Sequence, residues 1–343
     1  MTHVPTISVV MPVYNAERYV ASSIDGIRGQ TFRDFEFVIV NDGSTDSSLD
    51  ILTRYSNQDS RIRLVSRPNT GLVGALNDGV ANARGEFIAR IDADDRAKPN
   101  RFERQVRFLK DHPDYVGVGS AVMQIDPDGD PIAPHQWSPT HEEIEHNLLR
   151  GVGGMAHPAS MLRRETVVDV GAYRPEICYG EDLDLWLRLI ERGKLANLTE
   201  VLIEYRLHDD GFCVTRSDEQ VVSGITRVVT DAYRRRGQDV PNEVLAGIAA
   251  MKAHRFLPEH WVHSAVNAGY LKTARKHARR MVIRTPFRPM AWSLMTLTLL
   301  GPRWYSLCET QARRVRYAVA RVFGRLGQWA RRFNDRLTGL MAR

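Results

Sequence analysis

Between residues 7 and 91 the chain repeats one pattern: a short apolar run, a polar turn, then apolar residues at helical spacing. Ile7-Ser-Val-Val-Met11, Phe35-Glu-Phe-Val-Ile-Val40, Arg61-Ile-Arg-Leu-Val65 and Phe87-Ile-Ala-Arg-Ile91 have the length and composition of strands. Between them lie Tyr19, Val20, Ile24 and Ile27 with Asn15 as the expected N-cap, then Leu49, Ile51 and Leu52 after the turn Asp42-Gly-Ser-Thr-Asp46-Ser, then a helical stretch over 72–83. Such alternation permits few folds. Parallel strands need crossovers and both sheet faces need covering, so it predicts an α/β fold with a mostly parallel sheet between helices.

Ligands of such open sheets bind outside the carboxyl ends of the strands. Pro12, Tyr14 and Asn15 lie there, as do Asp42 and the cluster Asp92-Ala-Asp94-Asp95. Taken alone, Asp42 is an ordinary turn aspartate before Gly43. Three successive strands delivering polar groups to one edge is a stronger pattern. Three carboxylates within a few residues raise one another's pKa unless a cation neutralises them, and a divalent metal on oxygen ligands does so most simply. A metal at that edge implies a phosphorylated ligand. The plainer alternative is a solvated loop ahead of a helix over Pro99 to Leu109.

Five segments together resemble a known family. Val10-Met-Pro-Val-Tyr-Asn15, Val40-Asn-Asp-Gly-Ser-Thr-Asp46, Asn69-Thr-Gly-Leu with Ala75-Leu-Asn77, and Ile91-Asp-Ala-Asp-Asp95 look like successive motifs of the family 2 glycosyltransferases. Tyr179-Gly-Glu-Asp-Leu-Asp-Leu-Trp-Leu-Arg188 resembles that family's acceptor-side motif. The likeness covers roughly the first 210 residues and implies the GT-A nucleotide-sugar-binding fold. Outside it, from Asn242 to about Leu300, the pattern changes to helices without intervening strands, so a C-terminal helical region is expected.

By that resemblance Pro12, Tyr14 and Asn15 line the nucleoside pocket, Asp42 accepts a hydrogen bond from the base, and Asp92 lies near the ribose. A carboxylate suits such donors. Asp94 is implied as the direct ligand of Mg²⁺ or Mn²⁺, with Asp95 supporting it. Asp182 resembles the general base of an inverting transfer, which needs a carboxylate opposite the leaving phosphate and no covalent sugar intermediate. Without the resemblance, Glu181, Asp182 and Asp184 are simply favourable at a helix N-terminus. His208, in Tyr205-Arg-Leu-His, resembles a segment that ends many domains of the family and is a candidate metal ligand; a surface histidine is the alternative. His157 is expected either to touch the donor sugar or acceptor, or to cap a turn. The stretch from Asp126 to His141, with four prolines, reads as a turn-rich excursion.

The net charge of +6 hides a division: residues 251–343 hold 19 Lys and Arg against 3 Asp and Glu, while the first 250 carry −10. An acidic catalytic part thus precedes a basic one. We divide the chain into a GT-A domain at 1–215, a helical domain at 216–302 and a basic amphipathic tail at 303–343. Residues 261–278 loosely resemble a tetratricopeptide-type hairpin. Met290 to Leu300 is apolar but falls short of the ~20 residues that span a bilayer, and so reads as a buried or interfacial helix. In the tail, Val315, Val319, Val322, Leu326, Trp329, Phe333, Leu337 and Leu340 form one stripe among arginines. That composition fits an anionic membrane interface, with packing on the protein itself or on a partner as the alternative, and it fits a nucleic-acid phosphate ladder less well.

The three cysteines are scattered without a disulfide or metal spacing, and the start shows no basic-apolar leader. The expectation is a cytoplasmic enzyme, peripheral on the inner face of the membrane. It moves a sugar from a nucleoside diphosphate, UDP for preference, to a saccharide or lipid-linked saccharide acceptor in cell-surface polysaccharide biosynthesis. No nucleic acid is expected as a partner. The rivals are a non-catalytic sugar-nucleotide sensor or membrane scaffold on the same fold, and a phosphotransferase. The second is disfavoured because neither a Gly-x-x-x-x-Gly-Lys loop nor a Gly-x-Gly-x-x-Gly fingerprint occurs.

Overall fold

The four apolar runs become parallel strands β1 (Ile7–Val13), β2 (Phe35–Asp42), β3 (Ile62–Arg67) and β4 (Phe87–Arg90), joined by helices α1 (Val20–Arg28), α2 (Ser48–Gln58) and α3 (Leu72–Asn82). A short strand β5 (Arg96–Ala97) and helix α4 (Arg101–Asp111) lead to the long β6 (Tyr115–Ile125), which turns back through β7 (Pro131–His135). Helix α5 (His141–Leu148), a 3-10 turn at His157–Ala159, β8 (Met161–Arg163), α6 (Arg164–Asp169) and α7 (Glu181–Leu189) precede β9 (Lys194–Arg206). Helices α8 (Asp218–Arg235) and α9 (Asn242–Ala249) follow. This computed structural model describes residues 3–177, 179–208, 217–252, 258–287 and 289–300.

The strands form one sheet in the order β3-β2-β1-β4-β8-β6-β9-β5, with β7 on β6. Order reverses at β1: β2 and β3 lie to one side, β4 to the other. That switch opens a crevice at the carboxyl ends of β1, β2 and β4. Beyond β4 the sheet is mixed, because β8 runs antiparallel to both β4 and β6 while β9 is parallel to β6.

Strand alternation sorts the core into two layers. Ile7, Val9, Met11 and Val13 of β1, with Phe87 and Ala89 of β4, pack with Ile24 and Ile27 of α1 and Phe102 and Val106 of α4. Val10 and Ile88, on the opposite face, join Leu76 and Val80 of α3 and Trp186 of α7. Helix α3 approaches β1 so closely that a Cβ on Gly79 would lie 2.3 Å from Val10 Cγ1, which is why the helix tolerates a glycine there.

Three expectations change. Asn15 does not cap α1: it adopts a left-handed φ of 48° and the chain makes a further turn before Val20. Part of the 126–141 excursion is a hairpin, in which Pro131 and Pro134 sit on the edge strand β7, the sheet position that tolerates a missing N–H. The boundary expected at 215 also moves. The first compact unit runs from Met1 to Phe256, because α8 and α9 bury Val221, Ile225, Val228 and Ile248 in the same cluster as Trp186.

The second unit is Leu257–Arg343. Its described part is α10 (Pro258–Asn267), α11 (Leu271–Arg284) and α12 (Pro289–Leu300). Gly269, at φ 85°, makes the turn between the first two. Trp261, Ala265, Ala274 and Ala278 are buried, as a helical hairpin requires. The tail at 303–343 and all three cysteines lie outside the described residues.

Candidate active site

The loops after β1 and β2 are tied together by short polar side chains. Asn15 Oδ1 accepts from the Thr45 amide at 2.8 Å, the Asn15 amide donates to Ser44 Oγ at 3.1 Å, and the Glu17 amide donates to Asp46 at 3.0 Å. Asn15 is therefore spent on loop geometry, while Tyr14 stands 53% exposed at the rim. Pro12 and Asp42 are buried. Asp42 accepts from the Thr70 and Gly71 amides at 3.0 and 2.9 Å, and Arg67 Nε lies 3.3 Å from its Oδ1. Register explains the last contact, since Arg67 pairs with Asp42 across β2 and β3. With two backbone amides bonded and the Arg67 guanidinium alongside, Asp42 chiefly anchors the Asn69-Thr-Gly71 turn and keeps lone-pair capacity for a ligand.

At the end of β4, one carboxylate oxygen from each of Asp92, Asp94 and Asp95 lies within 4.8 Å of the others. Arg90, buried at 4% exposure, forms an ion pair with Asp92. The protein itself thus supplies part of the cation that the crowded sequence demanded. Burial still raises the Asp92 pKa; Arg90 opposes that shift, while the charges of Asp94 and Asp182 add to it. Asp95 is 1% exposed, accepts from the Arg206 amide at 2.8 Å through Oδ1, and has no hydrogen-bond partner for Oδ2 among the described residues. Burial, then the charges of Asp94 and Asp92, push its pKa well up.

The end of β9 closes the cluster. Arg206 Nε donates to the Asp94 carbonyl at 2.8 Å and its guanidinium stacks 4.6 Å from the Tyr19 ring centre. His208 Nε2 lies 2.7 Å from Asp94 Oδ2, with its ring 5.4 Å from Tyr19. The residues fit a hard divalent cation: three carboxylates, one with an unpartnered buried oxygen, and an adjacent imidazole. Beneath them Arg101, wholly buried, donates to the Arg90 and Ser160 carbonyls at 2.8 and 3.0 Å and holds the turn's backbone. Burial and the charge of Arg90 lower its pKa to about 9.

Helix α7 brings Glu181 and Asp182 to the same place, near enough for the Asp182 charge to act on Asp92. Asp182 is half-buried and takes the Leu183 amide at 2.7 Å; burial raises its pKa and Arg90 opposes the rise. Glu181 is 8% exposed, and burial together with the Asp182 charge pushes its pKa up to about 8. Asp184 takes no part in the site. It is 1% exposed and holds Arg174 and Arg188, the latter at 2.7 Å. His157 is also interior: Nε2 meets the Tyr173 hydroxyl at 2.7 Å beside Trp186, and burial, then Arg90, lowers its pKa well below the ordinary value. Arg90 therefore acts on Asp92 and Asp182 alike. It was missed in the sequence; the only signal was a charged residue inside the apolar run that ends at Asp92.

The family model described as glycosyl transferase family 2 matches residues 8–171. The O-antigen biosynthesis glycosyltransferase WbnJ of Escherichia coli is 33% identical over 210 residues, covering 59% of this chain and 80% of that one. Among solved structures, S. aureus TarS 1–349 in complex with UDP-GlcNAc superposes with a TM-score of 0.58 at 16% identity, over 88% of this chain and 92% of that one. The mannosyltransferase PcManGT of Pyrobaculum calidifontis, in complex with GDP-Man and Mn²⁺, gives 0.52 at 16% identity over 93% and 87%. At such identity these two speak for the fold, which is GT-A. The chain belongs to glycosyl transferase family 2.

Proposed function

We propose that this glycosyltransferase moves a sugar from a nucleoside diphosphate, with UDP as the nucleotide, to a hydroxyl of a saccharide or lipid-linked saccharide, inverting the anomeric configuration. The observation that carries the proposal is the meeting of Asp92, Asp94 and Asp95 with Asp182 at one end of the sheet, close enough for the Asp182 charge to act on Asp92. The first three carboxylates suit a cation and the diphosphate it neutralises. Asp182, made more basic by burial, suits a proton acceptor.

In this scheme Tyr14 and the loops tied by Asn15 flank the nucleoside, Asp42 offers its remaining lone-pair capacity to the base, and Asp92 lies toward the ribose. Asp94 would hold Mg²⁺ or Mn²⁺ directly, with His208 beside it, and the bound cation would supply positive charge to the leaving diphosphate. Asp182 takes the proton from the acceptor hydroxyl as its oxygen bonds to the anomeric carbon; the bond from that carbon to the phosphate oxygen breaks, and the nucleoside diphosphate leaves with the electron pair. Arg206 and Arg101 hold the backbone on which these groups sit, and Tyr19 packs against Arg206 and His208.

WbnJ is named for O-antigen biosynthesis, which supports assembly of a cell-surface polysaccharide as the setting. We place the enzyme at the inner face of the membrane, on a lipid-linked acceptor, with 303–343 as an anionic-lipid contact; among the described residues no helix is long and apolar enough to cross a bilayer. Liposome flotation with and without 303–343 tests that contact. For the chemistry, Asp182→Asn lowers transfer about 10²–10⁴-fold while donor binding persists, and the product's anomeric proton coupling reports inversion. Retained turnover, or a retained configuration, removes Asp182 as base.

A further inference from the structure

The described part of the second unit carries an exposed surface of a distinct kind. No Asp or Glu occurs between Glu259 and Glu309. Within that span α11 buries Ala274, Ala278 and Met281 and turns Lys272, Arg275, Arg279 and Arg284 outward. Beside them stand apolar side chains that water does not favour: Phe287 is 97% exposed, Ile283 68%, Leu299 60% and Trp292 53%.

Two hydrogen bonds link parts of this surface. Trp292 Nε1 donates to the Pro286 carbonyl at 2.8 Å, which sets its indole against the turn that carries Phe287. Arg275 Nε donates to the Thr298 carbonyl at 3.2 Å, which lays a cation alongside the far end of α12. Helix α12 packs through Ala291, Leu294 and Thr298, yet its outer positions include Met290, Trp292 and Leu299. A helix apolar on both faces needs a second apolar environment. At 12 residues, or about 18 Å, it cannot cross a hydrocarbon core of about 30 Å.

We propose that the α11–α12 hairpin is a docking surface for an anionic lipid bilayer, with Ile283, Phe287, Trp292 and Leu299 entering the interface and the α11 cations meeting phosphate headgroups. Charge selects this occupant: a helix with six Lys and Arg and no acid complements an anionic sheet, and the aromatic side chains gain from an apolar layer that a nucleic-acid backbone lacks. The surface lies outside 303–343, so the protein has a membrane contact that does not depend on that segment. Nor does it depend on the transferase chemistry.

Flotation of the full-length protein with vesicles of phosphatidylcholine containing about a third phosphatidylglycerol, and of phosphatidylcholine alone, tests it. The wild type floats with the anionic vesicles only. Ile283→Ser with Phe287→Ser lowers the partition coefficient at least about tenfold, and Lys272→Glu with Arg279→Glu does likewise, both with an unchanged melting profile. A control pair in the distal segment, Trp329→Ser with Phe333→Ser, leaves a residual anionic-lipid contact. The proposal is overturned if the wild type stays with the soluble fraction, or if both hairpin pairs float like the wild type. It is equally overturned if those pairs abolish self-association in size-exclusion chromatography while vesicles remain unbound, which assigns the surface to a second copy. Turnover of donor with a soluble acceptor, measured on the same variants, stays at the wild-type rate.

Discussion

Glu181→Gln should stabilise the protein, by an amount that depends on pH in a defined direction. Glu181 opens α7 almost fully buried, and burial plus the neighbouring Asp182 charge raise its pKa from 4.5 to about 8. Below about pH 4.5 both folded and unfolded chains hold the proton, so the site contributes nothing to the pH dependence. As pH rises toward 8 the unfolded chain releases that proton while the native state retains it, and stability falls. At pH 7 the gap is roughly 2.5 pH units, on the order of 3 kcal/mol. Glutamine keeps the shape and removes the titration. The variant is therefore expected to gain about 3 kcal/mol at pH 7, near 1 M in urea midpoint for a slope of about 3 kcal/mol/M, and almost nothing at pH 4.5. Urea unfolding followed by tryptophan fluorescence at pH 5, 6 and 7 measures it. The wild type should lose about 1.4 kcal/mol per pH unit more than the variant. Equal slopes, or a variant less stable than wild type at pH 7, would refute the placement of a protonated Glu181 in the crevice.

Two further substitutions separate scaffold from site. Arg90→Met removes the buried partner of Asp92 and should cost about 3–5 kcal/mol, more at high pH than at low because only an ionised Asp92 loses an ion-pair partner; denaturation across a pH series measures it. Asp184→Ala strands the buried Arg188, while Arg174 keeps Asp231, and should destabilise by about 3–5 kcal/mol at neutral pH, with no separate effect on donor affinity in whatever fraction remains folded. A midpoint unchanged within error in either case would remove the ion pair from the account.

The carboxylates of the crevice were legible because strand ends are legible: an apolar run that stops at Asp42 or Asp92 places the acid at the sheet's edge whatever the tertiary detail. The cations that balance them were not. Arg90, Arg101 and Arg206 are single charged residues whose partners lie on other elements, and only the fold brings the Arg101 guanidinium to the Arg90 carbonyl or Arg206 to Asp94. Sequence crowding therefore pointed to a metal as the whole remedy, where the protein supplies part of it. Asp184 shows the same limit, since it shares a helix turn with Asp182 yet pairs with Arg174 and the buried Arg188. Asn15 was misplaced because helix-capping chemistry and loop-bridging chemistry use the same side chain, and Thr45 is the partner it finds. The domain boundary moved because the change from strands to helices after β9 marks a change of element and not of core: Val228 and Ile248 complete the layer around Trp186.

The central claim is that the Asp92–Asp95 cluster holds the cation on which release of the nucleoside diphosphate depends. Its most direct test is release from a panel of nucleotide sugars with Mn²⁺, Mg²⁺ or chelator, for the wild type and Asp94→Ala. The account predicts metal-dependent release from a UDP-sugar that falls by at least about 10²-fold in Asp94→Ala, with the fold intact by circular dichroism. Release that survives chelation, or an Asp94→Ala variant as active as the wild type, would contradict it.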